Sequence, residues 1–309
     1  MPLTGIEIFK LLPKTNCGEC GVPTCLAFAM NLAAGKADLS KCPYVSEEAK
    51  QQLAEASAPP IRVVTIGTGD TALKVGGETV LFRHEKRFEN PPGFAILLSD
   101  TMDDAEIDGR LERFKQLHYE RVGLTLRPEL VAVRSDSGDA AKFASVVKRV
   151  AQGSDAGIIL MSTNPDVLAA GLKECAERKP LIYAATKDNL DKVATLAKEN
   201  SCPVAAKADN LEELAELTTK LTQAGVNDIV LDSGARTVRQ AFQDQIIIRS
   251  SALTKKFRPL GFPTIVFPCE MTDNPMKEAV IASMFVAKYA GTVSYTHLRA
   301  HETRHDLVC

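Results

Sequence analysis

LVAVRSDSGDAAKFASVVKRVAQGSDAGIILMS, residues 130–162, contains one full repeat of a pattern that fills most of the chain. A short apolar strand (LVAVRS, 130–135) ends in a cluster of Ser and Asp, an amphipathic helix follows, and a second apolar strand (GIILMS, 157–162) closes the unit. The same order is found around FAILLS (94–99), PLIYAAT (180–186), PVAAKA (203–208), DIVLDS (228–233) and PTIVFP (263–268). Continuous apolar strands separated by helices imply a parallel sheet covered on its outer face. Seven strand–helix units in one run favour a (β/α)8 TIM-type barrel over an open doubly wound sheet.

Beyond the last of these helices, NPMKEAVIASMFVAKYAG, only Thr292 and Val293 read as strand, so the barrel is expected to lack its last unit. Such a barrel would expose apolar surface and an unpaired strand edge. The closing string SYTHLRAHETRHDLVC (294–309) has no apolar periodicity and reads as the translated read-through of a sequencing adapter, to be set aside from fold reasoning. A metal site on His297, His301 and His305, spaced every four residues with Cys309 beyond, is the weaker alternative.

Upstream of the barrel the texture changes. RVVTIG, from Arg62, reads as a strand and LKVGGETVLFR as a hairpin turning at Gly76-Gly77. Gly67-Thr68-Gly69 suggests a nucleotide loop, but a hairpin follows where a helix N-terminus would have to hold a pyrophosphate. His84, in FRHEKRF, reads as a solvated surface residue.

Before that, LPKTNCGECGVPTC (12–25) and the Cys-Pro pair at Cys42 give the spacing C-x2-C-x4-C-x16-C. Four soft sulfur ligands suit zinc or an iron-sulfur cluster, and spacing alone does not choose. A Gly-rich loop bearing three ligands and a Cys-Pro at the fourth lean toward iron and sulfide, whereas structural zinc more often shows two matched knuckles. Thr4 with Glu7 has the form of a capping box for a helix ending at Pro13; a second helix runs over 26–34, and Ser46 caps a third, polar one. Ser57-Ala58-Pro59-Pro60 reads as a linker. The domains expected are a cluster module over 1–58, an incomplete barrel over 59–293 and a non-native tail over 294–309.

Composition narrows the classes. With a net charge of -2 the chain carries no footprint for nucleic acid, and no apolar run approaches the length of a membrane span. The start lacks a secretory signal, so a cytoplasmic location is expected. The chain has eight cysteines, which in a reducing compartment argue for metal or redox use; Cys175, Cys202 and Cys269 read as ordinary core thiols. Asp100, Asp136, Asn164, Asp188, Lys207, Asp232 and Glu270 sit at C-terminal strand ends, where barrel enzymes keep catalytic groups; most read as helix caps or turn residues, and no catalytic residue is assigned.

The cysteine pattern, together with IGTGDTALKVGGETVLFRHEKRFENPPG and ASMFVAKYAG, resembles the large (gamma) subunit of the corrinoid iron-sulfur protein of the acetyl-CoA decarbonylase/synthase system. The cysteine module alone also resembles the B subunit of membrane-associated ferredoxin:NAD oxidoreductases, but the ferredoxin-like cysteine runs of that family are missing. The first resemblance implies that Cys17, Cys20, Cys25 and Cys42 bind a [4Fe-4S] cluster. That cluster would restore Co(II) cobalamin to Co(I), which carries a methyl group from a methyl-tetrahydropterin to acetyl-CoA synthase in the Wood-Ljungdahl pathway. It implies three partners: a small barrel subunit in a heterodimer, the methyl-tetrahydropterin methyltransferase, and CO dehydrogenase/acetyl-CoA synthase. The family's corrinoid sits in a C-terminal domain that this sequence does not contain, so the chain is expected to bind a cluster and not cobalamin, a methyl-carrier and electron-transfer component. The alternatives are a pterin-dependent methyltransferase barrel using Asp136, Asn164 and Asp232, and a zinc-binding scaffold.

Overall fold

The computed structural model describes residues 5–33, 36–46, 49–50, 53, 59–82, 85–86, 89–121 and 123–296. His84, His297, His301, His305, Cys309, Thr4 and most of the expected third helix lie outside the described residues. The chain divides into two compact units, Met1–Pro59 and Pro60–Cys309.

In the first unit, helix α1 (Gly5–Leu11) and helix α2 (Cys25–Ala33) flank the cysteine loop. Ile8, Leu12, Phe28 and Ala29 form its small core together with Cys25, Cys42 and Val45. Pro13 ends the first helix as expected, because its ring cannot continue one.

The second unit begins with an antiparallel hairpin, β1 (Val64–Ile66) and β2 (Leu73–Val75), in which Val64 faces Val75. The turn is therefore at residues 67–72 and not at Gly76-Gly77. Gly76 has φ of +90°, and a Cβ there would lie 2.1 Å from the Arg62 carbonyl oxygen. That pair marks a close crossing of two main chains. Gly67 and Gly69 belong to the hairpin connection, where a 3-10 turn (Gly69–Thr71) follows and no helix begins.

Eight parallel strands form the sheet: β3 (Gly93–Ser99), β6 (Leu130–Arg134), β7 (Gly157–Met161), β8 (Leu181–Ala185), β9 (Val204–Lys207), β10 (Ile229–Asp232), β11 (Ile265–Val266) and β12 (Thr292–Tyr295). Their order is β10-β9-β8-β7-β6-β3-β12-β11. A small ribbon, β4 (Tyr119–Arg121) with β5 (Leu124–Leu126), precedes β6. The ring closes where Leu231 bridges Thr264 and donates its N–H to the Pro263 carbonyl at 2.8 Å. The outer layer is made by α3 (Asp104–Gln116), α4 (Ala140–Gly153), α5 (Pro165–Cys175), α6 (Leu190–Asn200), α7 (Leu211–Gln223), α8 (Val238–Leu253) and α9 (Pro275–Ala287).

Side-chain parity separates the two sides of the sheet, as a period of two requires. Leu97, Ala132, Ile159, Tyr183, Ala205, Val230 and Ile265 fill the interior, while Leu98, Val133, Leu160, Ile182, Val204 and Leu231 pack outward against helices. Val64, Ile66, Leu73 and Val75 join the interior set. The hairpin plugs the N-terminal end of the barrel: Ile66 lies beside Gly157 and Leu73 beside Gly93, each the first residue of a strand.

The eighth strand corrects an expectation. β12 pairs with β3 on one side and β11 on the other, so neither has the unpaired edge anticipated there, and the strand half of the eighth unit is present. It escaped the apolar pattern because Thr292 and Ser294, both fully buried, alternate with Val293 and Tyr295. The outward pair joins the α9 cluster, and Tyr295 stacks on Phe94 at 5.4 Å between ring centroids. The strand runs through the expected boundary at residue 293.

Candidate functional site

Two places concentrate polar chemistry. The first is the cysteine loop. Lys14, Asn16, Gly18 and Gly21 all adopt the left-handed region, with φ of 59°, 50°, 77° and 84°. Gly is there for backbone angle and not for space, because a Cβ on Gly18 or Gly21 would meet nothing within 4 Å. Such backbone turns main-chain N–H groups toward a common anionic centre.

Cys25 opens α2, whose Thr24 hydroxyl accepts the Ala27 N–H at 3.1 Å as a helix cap. Asn16 holds it from the other side of the loop: Asn16 Oδ1 accepts the Cys25 N–H at 2.8 Å, and the Asn16 N–H donates to Cys25 Sγ at 3.4 Å. Cys42 follows the 3-10 turn Leu39–Lys41, where Asp38 caps the Ser40 N–H. Tyr44 Oη donates to Glu19 Oε1 at 2.8 Å and so ties the Cys17–Cys20 knuckle to the Cys42 segment. That Glu19 bond, and then the Glu19 charge, push the phenol above its ordinary value.

Cys25 and Cys42 are buried, Cys20 is half-buried, Cys17 is exposed, and all four are free thiols. The donor set fits an iron-sulfur cluster or zinc: four soft ligands of the right type on one loop and its sequel. Among the described residues no three Cys, His, Asp or Glu side chains are gathered in a geometry that holds an ion, so the fit rests on donor chemistry and loop conformation.

The second place is the mouth of the barrel, at the C-terminal strand ends. Tyr183 Oη donates to Asp232 Oδ2 at 2.6 Å, and Arg236 grips the same carboxylate with bonds of 2.9 and 3.1 Å. Arg236 Nε reaches Glu270, whose other oxygen accepts from Arg134 Nη1 at 3.4 Å. Arg134 Nε lies 2.8 Å from Asp136 as an ion pair without hydrogen-bond geometry, and Asp136 accepts from Ser99 Oγ at 2.5 Å. The Arg236 guanidinium lies over the Phe267 ring at 4.8 Å. Burial pushes the Tyr183 hydroxyl well above its ordinary value, helped by the Asp232 charge. For Arg236 burial acts downward, but the Asp232 hydrogen bond and charge outweigh it and hold the cation.

Among the strand-end residues expected to be helix caps or turn residues, two fill those roles alone. Asn164 is a cap, accepting the Asp166 N–H ahead of Pro165. Asp100 is a turn residue, accepting the N–H groups of Asp136 and Ser137 at 2.8 and 2.9 Å. Glu270 pairs with Arg134 and Arg236 from two other strand units, while Asp136 pairs with Arg134 of its own strand and Asp232, which also accepts the Gly234 N–H, with Arg236 four residues on. Asp188 and Lys207 line a separate cleft of about 670 Å³ at the N-terminal ends of α6 and α7. The other caps are Asp103, Asp139, Asn210, Thr237 and Asn274. The structure does not bring Asp136, Asn164 and Asp232 together as one free site. The links between strands join residues 34 to 136 positions apart, so only strand order could have revealed them. Asn16 was not singled out in the sequence either; an Asn-Cys doublet carries no signature beyond the tolerance of Asn for left-handed backbone.

Cys175 and Cys202 are buried and Cys269 is half-buried. Burial, and for Cys175 the neighbouring Cys202, raises the Cys175 thiol to about 12; burial raises Cys202 to about 11. Cys269 is raised to about 12 by burial and then by the Glu270 charge. Among the described residues no helix is long and apolar enough to cross a membrane.

Comparison with known proteins follows the same division. A family model described as CO dehydrogenase/acetyl-CoA synthase delta subunit matches residues 63–305, and one for an Fe-S cluster matches residues 12–44. The chain is 47% identical over 293 residues to the corrinoid/iron-sulfur protein large subunit of Moorella thermoacetica, covering 95% of this chain and 65% of that one. It is 37% identical to the acetyl-CoA decarbonylase/synthase complex subunit gamma of Methanopyrus kandleri (93% and 64%) and 43% identical to a gamma 2 subunit of Methanosarcina thermophila (96% and 67%). The chain therefore spans about two thirds of the length of these relatives. Among solved structures, dihydropteroate synthase of Anaplasma phagocytophilum superposes with a TM-score of 0.53 at 13% identity, covering 71% of this chain and all of that one. The enzyme of the same name from Vibrio fischeri gives 0.53 at 12%, covering 79% and 96%. At such identity the likeness speaks for the barrel fold alone.

Proposed function

Because the chain belongs to the family of corrinoid/iron-sulfur protein large subunits and acetyl-CoA decarbonylase/synthase gamma subunits, we propose that it is the electron-transfer part of a methyl carrier, with Cys17, Cys20, Cys25 and Cys42 as ligands of a [4Fe-4S] cluster. When bound, such a cluster supplies single low-potential electrons, which in the longer parent would return Co(II) cobalamin to the Co(I) state that carries methyl from methyl-tetrahydropterin to acetyl-CoA synthase. The observation that carries this reading is the left-handed cysteine loop within the span that matches an Fe-S cluster model.

The chain's own residues have definable tasks in it. Cys17, Cys20 and Cys25 come from the loop and the helix start that follows it, Cys42 follows the Leu39–Lys41 turn, and the Tyr44–Glu19 bond links the two segments. The core of Ile8, Leu12 and Phe28 keeps water from Cys25 and Cys42. The barrel acts as a scaffold, since at its mouth Arg134, Asp136, Asp232, Arg236 and Glu270 pair with one another. Its partners would be a small barrel subunit, the methyl-tetrahydropterin methyltransferase and CO dehydrogenase/acetyl-CoA synthase. In this reading residues 1–58 form the cluster module and the barrel runs from 59 to the end of its eighth strand at Tyr295.

The test is iron, sulfide and zinc content of the anaerobically purified chain, with an EPR spectrum before and after dithionite. About four irons and four sulfides, with a signal appearing only on reduction and lost in a Cys25→Ser variant, is the expected result. Stoichiometric zinc without sulfide would sink the electron-transfer reading and leave a zinc scaffold.

A further inference from the structure

The four sulfurs are not equivalent. Cys25 is buried at the first turn of a helix, where its N–H is taken by Asn16 Oδ1 at 2.8 Å and the Ala27 N–H by the Thr24 hydroxyl. Its sulfur also accepts the Asn16 N–H at 3.4 Å. Cys20 Sγ, by contrast, is placed as donor to the Val22 carbonyl at 3.8 Å, a bond that a ligating thiolate cannot make.

Asn16 is able to reach Cys25 twice because of its backbone. With φ of 50° its N–H turns back across the loop, while its side-chain oxygen takes the Cys25 N–H at 2.8 Å. The two bonds run in opposite directions and close a small ring, so neither residue can turn without breaking one of them. Asn is among the few residues other than Gly that adopt this backbone region readily. Gly would supply the angle without the oxygen, and Ala neither.

We propose that Asn16 is a positioning residue for the cluster, holding Cys25 by its side chain so that its main-chain N–H donates to the ligand sulfur and raises the cluster's reduction potential. The inference rests on the reading above that Cys25 is a cluster ligand. An N–H donated to a thiolate draws electron density from the sulfur and stabilises the reduced, more negative state. Because Cys25 is buried, solvent screens that effect little.

The experiment is an EPR-monitored redox titration of the full chain, loaded anaerobically, with Asn16→Gly and Asn16→Asp beside the unsubstituted protein. Asn16→Gly suits the left-handed turn and removes only the side chain, so it keeps its iron and sulfide. Its reduced-to-oxidised ratio at a fixed poise is expected to fall roughly tenfold, about 59 mV for a one-electron couple. Asn16→Asp restores the acceptor oxygen and with it the g-values of the unsubstituted protein. A glycine variant with unchanged potential and spectrum overturns the inference while leaving the cluster intact. Loss of iron with the remaining cluster unchanged would make Asn16 a support of the fold only, and overturns it too. Zinc in place of iron in the unsubstituted chain overturns the cluster reading itself, and this inference with it.

Discussion

At the scale of single residues, Asp232 shows how a buried charge is kept. It is 2% exposed and depends on Arg236 and Tyr183 for partners. Arg236→Met would leave a carboxylate in the barrel without its cation, which costs about 3 kcal/mol; the low end of the range for buried pairs applies because Arg236 itself is 24% exposed. Urea unfolding midpoints check this, and Tyr183→Phe, which removes one hydrogen bond, is expected to cost about 1 kcal/mol. The thiols make a second residue-scale prediction. Cys175 and Cys202 are raised from 9.0 to about 12 and about 11. Folded values above the unfolded one mean that their contribution to stability is whole below about pH 9 and is lost as pH climbs through the folded values. At pH 8.5 in iodoacetamide, mass mapping should find Cys175 and Cys202 unmodified in the native chain and modified after denaturation; native labelling would contradict their burial. The cysteines of the proposed cluster were legible from spacing because ligand chemistry is local. The Asp232 network was not, since Tyr183, Asp232 and Glu270 meet only once the strands are ordered.

At the scale of elements, helix starts were legible in kind but not always in residue. Asn164 before Pro165 was readable because both cap and first-turn chemistry sit in adjacent letters. Asn164→Ala is expected to cost about 1 kcal/mol in thermal or urea unfolding. The seven apolar strands were legible because both of their faces are buried, so each reads as a continuous run. β12 was not, because its inward residues are Thr292 and Ser294, whose small polar side chains suit a crowded barrel interior and break the run. The hairpin was placed one segment late for a related reason. Gly76-Gly77 carries the usual letters of a tight turn, but the left-handed angle serves a main-chain crossing at Arg62, which no local pattern marks.

At the scale of the molecule, the split at Pro59 predicts two independent foldings. A chain of residues 60–309 should keep the far-UV circular dichroism and cooperative unfolding of a barrel while losing all iron; loss of cooperativity would show that the N-terminal unit is required for barrel folding. The barrel interior supports this, because its lower end is closed by its own hairpin from Val64 to Val75. Closure of the ring is uneven. Most neighbouring strands share three to five paired positions, whereas β10 and β11 meet at the single bridge of Leu231 and Thr264. The hoop therefore has a seam, and amides along it should exchange with deuterium before those of β6 and β7. Asp232 ends the strand on one side of that seam and Glu270 follows the strand on the other, and a single guanidinium, Arg236, holds both. What looks at the mouth like a charge cluster is mechanically a rivet, set across the joint where the backbone provides least.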